Sequence, residues 1–104
     1  MKKLLLLLLC FPFMTLAQQT YVPDANFENA LINLGYDTIL DGSVTTANIN
    51  TITSLDVDNL NISDLTGIED FSALNYLNCD SNQLTSLDVS QNTVLYSLEC
   101  GGNN

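Results

Sequence analysis

Leu74-Asn75-Tyr76-Leu77-Asn78-Cys79-Asp80-Ser81-Asn82-Gln83-Leu84 decides the fold, because the chain writes it more than once. Leu95-Tyr96-Ser97-Leu98-Glu99-Cys100-Gly101-Gly102-Asn103 returns Leu, Leu, Cys and Asn after 21 residues. Upstream, Leu55-Asp56-Val57 precedes Leu77-Asn78-Cys79 by 22 residues, and Ile62 and Leu65 precede Leu84 and Leu87 by the same step. A period of this size, held over three coils, predicts a stack of similar units that bury one continuous core.

The spacing inside each unit says how it folds. Leu77-x-Cys79 and Leu98-x-Cys100 alternate with a period of two, so each reads as a short strand with those side chains inward. Asn82 and Asn103 follow where the chain must turn, and a buried amide there can satisfy backbone groups that a turn leaves open. Leu84, Leu87 and Val89 send apolar groups back to the same core from the opposite side. Stacking the coils predicts a parallel sheet on one face and a core of Leu55, Val57, Ile62, Leu65, Leu74, Leu77, Cys79, Asn82, Leu84, Leu87, Leu95, Leu98, Cys100 and Asn103.

Towards the N-terminus the periodicity changes. Phe27, Ala30, Leu31 and Leu34 form a helical stripe behind Val22-Pro23-Asp24, with Asp24 suited to the N-cap and Gly35 to the C′ position, so a helix is expected over about residues 24–34. Asp41-Gly42 marks a turn, and Thr45 to Ile49 can form one helical turn before a strand around residues 53–57. A helix placed before the first coil would shield an apolar cross-section that otherwise faces water. Residues 18–51 are therefore expected to be an N-terminal cap, and residues 52–104 the coils, starting near 52, 74 and 95.

Lys2 and Lys3 precede the apolar run Leu4 to Leu9 and the small residue Ala17, the pattern of a secretory signal peptide over residues 1–17 cleaved near Ala17. The run is too short to span a bilayer and is broken by Pro12. Residues 18–104 then contain all 12 Asp and Glu and no Lys, Arg or His. That balance excludes nucleic acid and anionic membrane surfaces as partners, since both demand cations. It also removes Ser-His-Asp triads, Cys-His pairs, Schiff-base lysines and P-loops, each of which lacks an indispensable member here.

The repeat L-x-x-L-x-C-x-x-N-x-L resembles the leucine-rich repeat. The order of the cap stretch Val22 to Asp37, Leu40-Asp41-Gly42, and then Thr53-Ser54-Leu55-Asp56-Val57 and the coils is similar to exported, Asn- and Cys-containing leucine-rich-repeat proteins of Bacteroidetes. The stretch from Asn61 to Leu74 also resembles internalin-type repeats. The resemblance implies an α/β solenoid with a helical N-terminal cap and a short parallel sheet on its concave face. It further implies more repeats and a C-terminal sorting domain beyond Asn104, so the sequence reads as a truncated piece. Leu60 departs from the pattern by standing where Asn82 and Asn103 stand in later coils.

Side chains that alternate with the buried strand positions should face outward on the concave side: Ser54, Asp56, Asp58, Tyr76, Asn78, Asp80, Ser97 and Glu99. They are the candidate binding face, acidic and carrying one aromatic. Asp56-Val57-Asp58-Asn59-Leu60-Asn61 begins like a calcium loop but lacks the glycine at its sixth position and an oxygen ligand at its fifth. Asp37 and Asp41-Gly42 make no fuller ligand set, so no metal, cofactor or catalytic residue is expected. Cys79 and Cys100 occupy equivalent inward positions on neighbouring parallel strands, where Cβ vectors run side by side, and are expected to be buried free thiols. These readings predict a non-catalytic, secreted or cell-surface module that binds a protein or glycan and is monomeric at full length. The alternative is a structural spacer of a larger surface protein.

Overall fold

The computed structural model describes residues 17–104 of the 104-residue chain. The expected signal peptide lies, but for Ala17, outside the described residues. Strand β1 (Gln19–Tyr21) leads into helix α1 (Ala25–Asn33), strand β2 (Ser43–Thr45) and a 3-10 turn at Thr46–Asn48. Strands β3 (Ser54–Asp56), β4 (Tyr76–Asn78) and β5 (Ser97–Glu99) follow, with a second 3-10 turn at Ile68–Asp70. No helix among the described residues is long and apolar enough to cross a membrane.

Helix α1 forms where the apolar stripe required it. The Asp24 carboxylate accepts from the Asn26 and Phe27 amides, at 2.9 and 3.1 Å, and Gly35 adopts φ +90° just past the end. The left-handed conformation there is the one glycine adopts without cost. Phe27 and Leu31 are fully buried and share one apolar cluster with Ile49, Leu55, Phe71 and Leu77. The Phe27 and Phe71 rings stack with centroids 6.2 Å apart. The helix thus closes over the first coils.

Strands β3, β4 and β5 form one parallel sheet in that order, with Leu55, Leu77 and Leu98 in register. The 22- and 21-residue spacings read from the sequence are therefore true register steps. β1 and β2 pair antiparallel, Thr20 opposite Val44, in a separate two-stranded sheet that the apolar periodicity did not disclose. Only three residues long, each strand carries too little alternation to stand out from a loop.

Beyond each sheet strand the chain turns through a left-handed residue. Asn59, Ser81 and Gly102 have φ of +55°, +57° and +66° and occupy equivalent positions. The turn is the same in all three coils, with three different residues.

Two expectations about the core need correction. Leu98 is 40% exposed and Cys100 is exposed, whereas both were expected inside. In a stacked array each coil is sealed by its neighbours on either side, and β5 lies at the edge of the sheet, so its inward side chains have a partner on one side only. Leu87, Leu95 and Asn103 are half-buried for the same reason. Leu60 is likewise exposed. The remaining predicted core residues, Leu55 to Leu84, are buried.

Candidate functional site

The parallel register builds the outward face column by column. Ser54, Tyr76 and Ser97 align in one column and Asp56, Asn78 and Glu99 in the next. The ladder continues past the strands through Asn59 N–H to Asp80 O at 2.9 Å and Ser81 N–H to Gly101 O at 2.8 Å, which brings Asp58 and Asp80 alongside. All eight residues expected on this face lie on one side of the sheet or its exit. Ser54, Asp56, Asp58 and Glu99 are exposed; Tyr76, Asn78, Asp80 and Ser97 are half-buried.

The face is not a set of free carboxylates. Asp56 Oδ1 accepts from the Asp58 amide at 3.2 Å, Asn78 Oδ1 from the Asp80 amide at 3.0 Å, and Asp80 Oδ1 from the Gly101 amide at 2.6 Å. These bonds hold the strand exits in shape, as short polar side chains do at turns. A hydrogen bond with the Asp56 carboxyl, reinforced by its charge, raises the Asp58 carboxyl above the usual aspartate range. The Tyr76 hydroxyl is also raised, by desolvation and then by the charges of Glu99 and Asp56. No cation exists in residues 18–104 to relieve this crowding. Tyr96, 81% exposed just before β5, is a further exposed aromatic near the edge of the sheet.

Behind the face, asparagines join the coils. Asn82 Nδ2 donates to Val57 O at 2.9 Å and Cys79 O at 3.0 Å, while its Oδ1 accepts from Leu60 N at 2.9 Å and Ile62 N at 3.1 Å. Asn103 repeats the arrangement one coil on, with Nδ2 to Cys79 O and Cys100 O, both at 3.0 Å, and Leu84 N to Oδ1 at 3.0 Å. Each amide therefore ties its own turn to the preceding coil. Asn92, which the sequence reading passed over, does similar work on the far side. It stands where Ile49 and Phe71 stand in earlier coils and donates to Ile68 O at 2.8 Å and Phe71 O at 3.1 Å.

Cys79 and Cys100 are free thiols, but only Cys79 is buried. Burial first, and then the neighbouring Cys100 and Asp80, push the Cys79 thiol up to about 11. The expectation of two buried thiols is thus corrected for Cys100, which directly follows the sheet's edge strand.

A groove of about 360 Å³ lies away from the sheet, lined by Asp64, Leu65, Glu69, Leu87 and Asp88 among others. Its acids are already engaged: Asp64 with the Thr66 amide and hydroxyl, Glu69 with the Gly67 amide, Asp88 with the Ser90 amide. The bonds to the Ser90 hydroxyl and amide lower the Asp88 carboxyl. The groove offers no arrangement of nucleophile and base among the described residues.

No protein-family profile matches the chain. Over 73 residues it is 37% identical to internalin J of Listeria monocytogenes serotype 4b (strain F2365), which covers 70% of this chain and 8% of that protein. The solved functional domain of InlJ from Listeria monocytogenes, described as including a cysteine ladder, superposes with a TM-score of 0.71 at 35% identity over 88% of this chain and 21% of that one. An internalin, InlF, from Listeria monocytogenes gives a TM-score of 0.73 at 28% identity over 81% of this chain and 25% of that one. The repeat fold is internalin-like. The chain spans less than a tenth of the curated internalin it matches, so the likeness speaks for the repeat fold alone. Within that internalin-like fold, the outward sheet face is the surface on which side chains from all three coils converge.

Proposed function

We propose that this is a non-catalytic, exported recognition module, with residues 18–51 as the cap of its repeats and residues 52–104 presenting the binding face. Secretion through the signal pattern at residues 1–17, with cleavage near Ala17, belongs to the same proposal. The observation that carries it is the in-register alignment of Asp56, Asn78 and Glu99 beside Asp58, Asp80 and Tyr76. An acidic surface with an aromatic beside it, on a chain with no cation after residue 17, is complementary to a protein partner that presents Lys and Arg. The likeness to internalin J is in keeping with a surface or secreted protein.

The test is capture from cell-surface extracts by the protein and by a variant carrying D56N, D58N, D80N and E99Q, each at low and at about 0.15 M salt, where screening acts beyond roughly 8 Å. Specific capture that weakens with salt and is lost in the variant is expected. Capture that survives all four changes would place binding elsewhere. A spacer with no ligand of its own is the second reading. It is favoured by the bonds that Asp56, Asn78 and Asp80 make to the backbone, which give each a structural reason to be there.

A further inference from the structure

We propose that Glu28 and Asp37 hold a single proton between them, and that this shared proton latches the loop of residues 35–42 onto helix α1, making the cap a pH-sensitive element. Glu28 is only 1% exposed, although it sits on a surface helix. Its carboxylate oxygens accept from the Gly42 amide at 2.8 Å and the Asp41 amide at 3.1 Å. Asp37 Oδ1 accepts from the Thr38 amide at 2.8 Å, but its Oδ2 is buried with no hydrogen-bond partner among the described residues. Carboxylate oxygens of Glu28, Asp37 and Asp41 come within 4.8 Å of one another.

Two ionised carboxylates cannot face each other in this setting without a large electrostatic and desolvation cost. A proton between them removes one negative charge and converts the orphaned Asp37 oxygen into one end of a short O–H···O bond. It belongs to the pair and titrates as a property of the pair. Among the described residues nothing nearby carries a compensating positive charge. Asp41 adds a further negative charge from the same loop, α1 has no second titratable side chain, β1 and β2 contribute only the exposed Tyr21, and residues 18–104 contain no Lys, Arg or His. Burial, followed by the proximity of the Asp37 carboxyl, holds the Glu28 carboxyl above the ordinary glutamate range, against the lowering influence of the Gly42 and Asp41 amides.

The mechanical consequence follows from Gly42. Its amide binds Glu28 and its carbonyl accepts from the Val22 amide at 2.9 Å, so the loop joins the helix to the end of β1. Gly42 has φ +83°, a conformation that suits glycine at this junction. A folded state that binds the proton more tightly than the unfolded chain is most stabilised below the unfolded glutamate value. That stabilisation is lost as pH rises through the higher folded value. Acidification tightens the cap, and neutralisation loosens it.

The experiment follows the side-chain carboxyl carbon signals of the protein by NMR from about pH 3 to 8 in the presence of a chelator, and measures urea unfolding of the protein, of E28Q and of D37N over the same range. In E28Q the oxygen still accepts from Gly42 and the new NH2 can donate to Asp37 Oδ2, so it imitates the neutralised pair at the cost of the bond from the Asp41 amide. Glu28 should titrate above ordinary glutamate. Between the two values the folding equilibrium constant should fall with rising pH by up to about tenfold per unit relative to E28Q, the effect of one proton. The other carboxylates titrate in both proteins and cancel in that comparison. Titration of Glu28 at or below the ordinary value overturns the proposal, even if both variants fail to fold. Equal pH slopes for all three proteins would overturn it as well. None of these outcomes depends on the sheet face, so the recognition reading stands or falls separately.

Discussion

Asp24 and Ser63 are 39 residues apart in the chain, yet the Ser63 amide donates to Asp24 Oδ2 at 2.8 Å. The Asp64 amide donates to the same oxygen at 3.0 Å, while Oδ1 of the same carboxylate caps α1 through the Asn26 and Phe27 amides. One side chain therefore starts the helix with one oxygen and fastens it to the first coil with the other. Asn26 Nδ2 adds a bond to Asn61 O at 2.9 Å beside it. The helix is clamped at its N-terminal end, where its own unpaired amides and those of residues 63–64 converge on a single negative charge.

Asp24→Ala should cost on the order of 2–4 kcal/mol, the sum of a lost N-cap and two further amide bonds. Asp24→Asn should cost about half as much, since one oxygen is kept and the new NH2 cannot accept from residues 63–64. Urea unfolding of the three proteins tests the ranking. If Asn costs as much as Ala, the two oxygens do not act separately.

Removing the amide of Asn82 should be more damaging than removing that of Asn103. Asn82 is buried, so Asn82→Ala strands buried amides and carbonyls and is expected to cost about 2–4 kcal/mol. Asn103 is half-buried at the edge coil, where water can replace its bonds, and Asn103→Ala should cost about 1 kcal/mol or less. Similar losses in stability for the two variants would contradict the role assigned to burial.

Backbone conformation gives a pair of opposite effects. A Cβ on Gly67, at φ +111°, would lie 2.9 Å from Tyr21 O and 3.0 Å from Val22 Cγ2, so Gly67→Ala should destabilise by about 1–3 kcal/mol. Ser81, at φ +57°, pays for a left-handed conformation that its equivalent Gly102 adopts freely. Ser81→Gly should be neutral or stabilising by up to about 1 kcal/mol. Thermal melts decide both, and a destabilised S81G would show that the hydroxyl matters more than the turn.

The two thiols should separate by reactivity. In the folded protein at pH 7 to 8, an alkylating reagent should modify Cys100 readily and Cys79 only after unfolding, because burial both blocks access and keeps the Cys79 thiol protonated up to about 11. Peptide mapping after brief labelling reads the two sites independently. Equal labelling would mean that β4 opens on the labelling timescale. Failure of both to react would point to their oxidation.

The repeat step, the inward and outward alternation, the helix with its Asp24 and Gly35 ends, and the acidic face were legible in the sequence because each is written in local periodicity. A strand repeats every two residues and a helix every 3.6, and stacking copies the pattern at 21 and 22, so Leu55, Leu77 and Leu98 declare their common column without any structure. Charge is equally plain, since composition alone leaves residues 18–104 without a cation. The pairing of β1 with β2, the second bond set of Asp24, the meeting of Glu28 with Asp37, and the unequal fates of Cys79 and Cys100 were decided only in three dimensions. Glu28 looks in sequence like any solvent-facing helix residue, and it is buried only because the loop carrying Asp41 and Gly42 folds back over it. Cys79 and Cys100 occupy identical positions in the repeat and differ only in what lies beside their strands: β4 has neighbours on both sides, and β5 has one. Periodicity fixes what a residue can do within its own coil; burial and polar partners depend on which other segments arrive beside it.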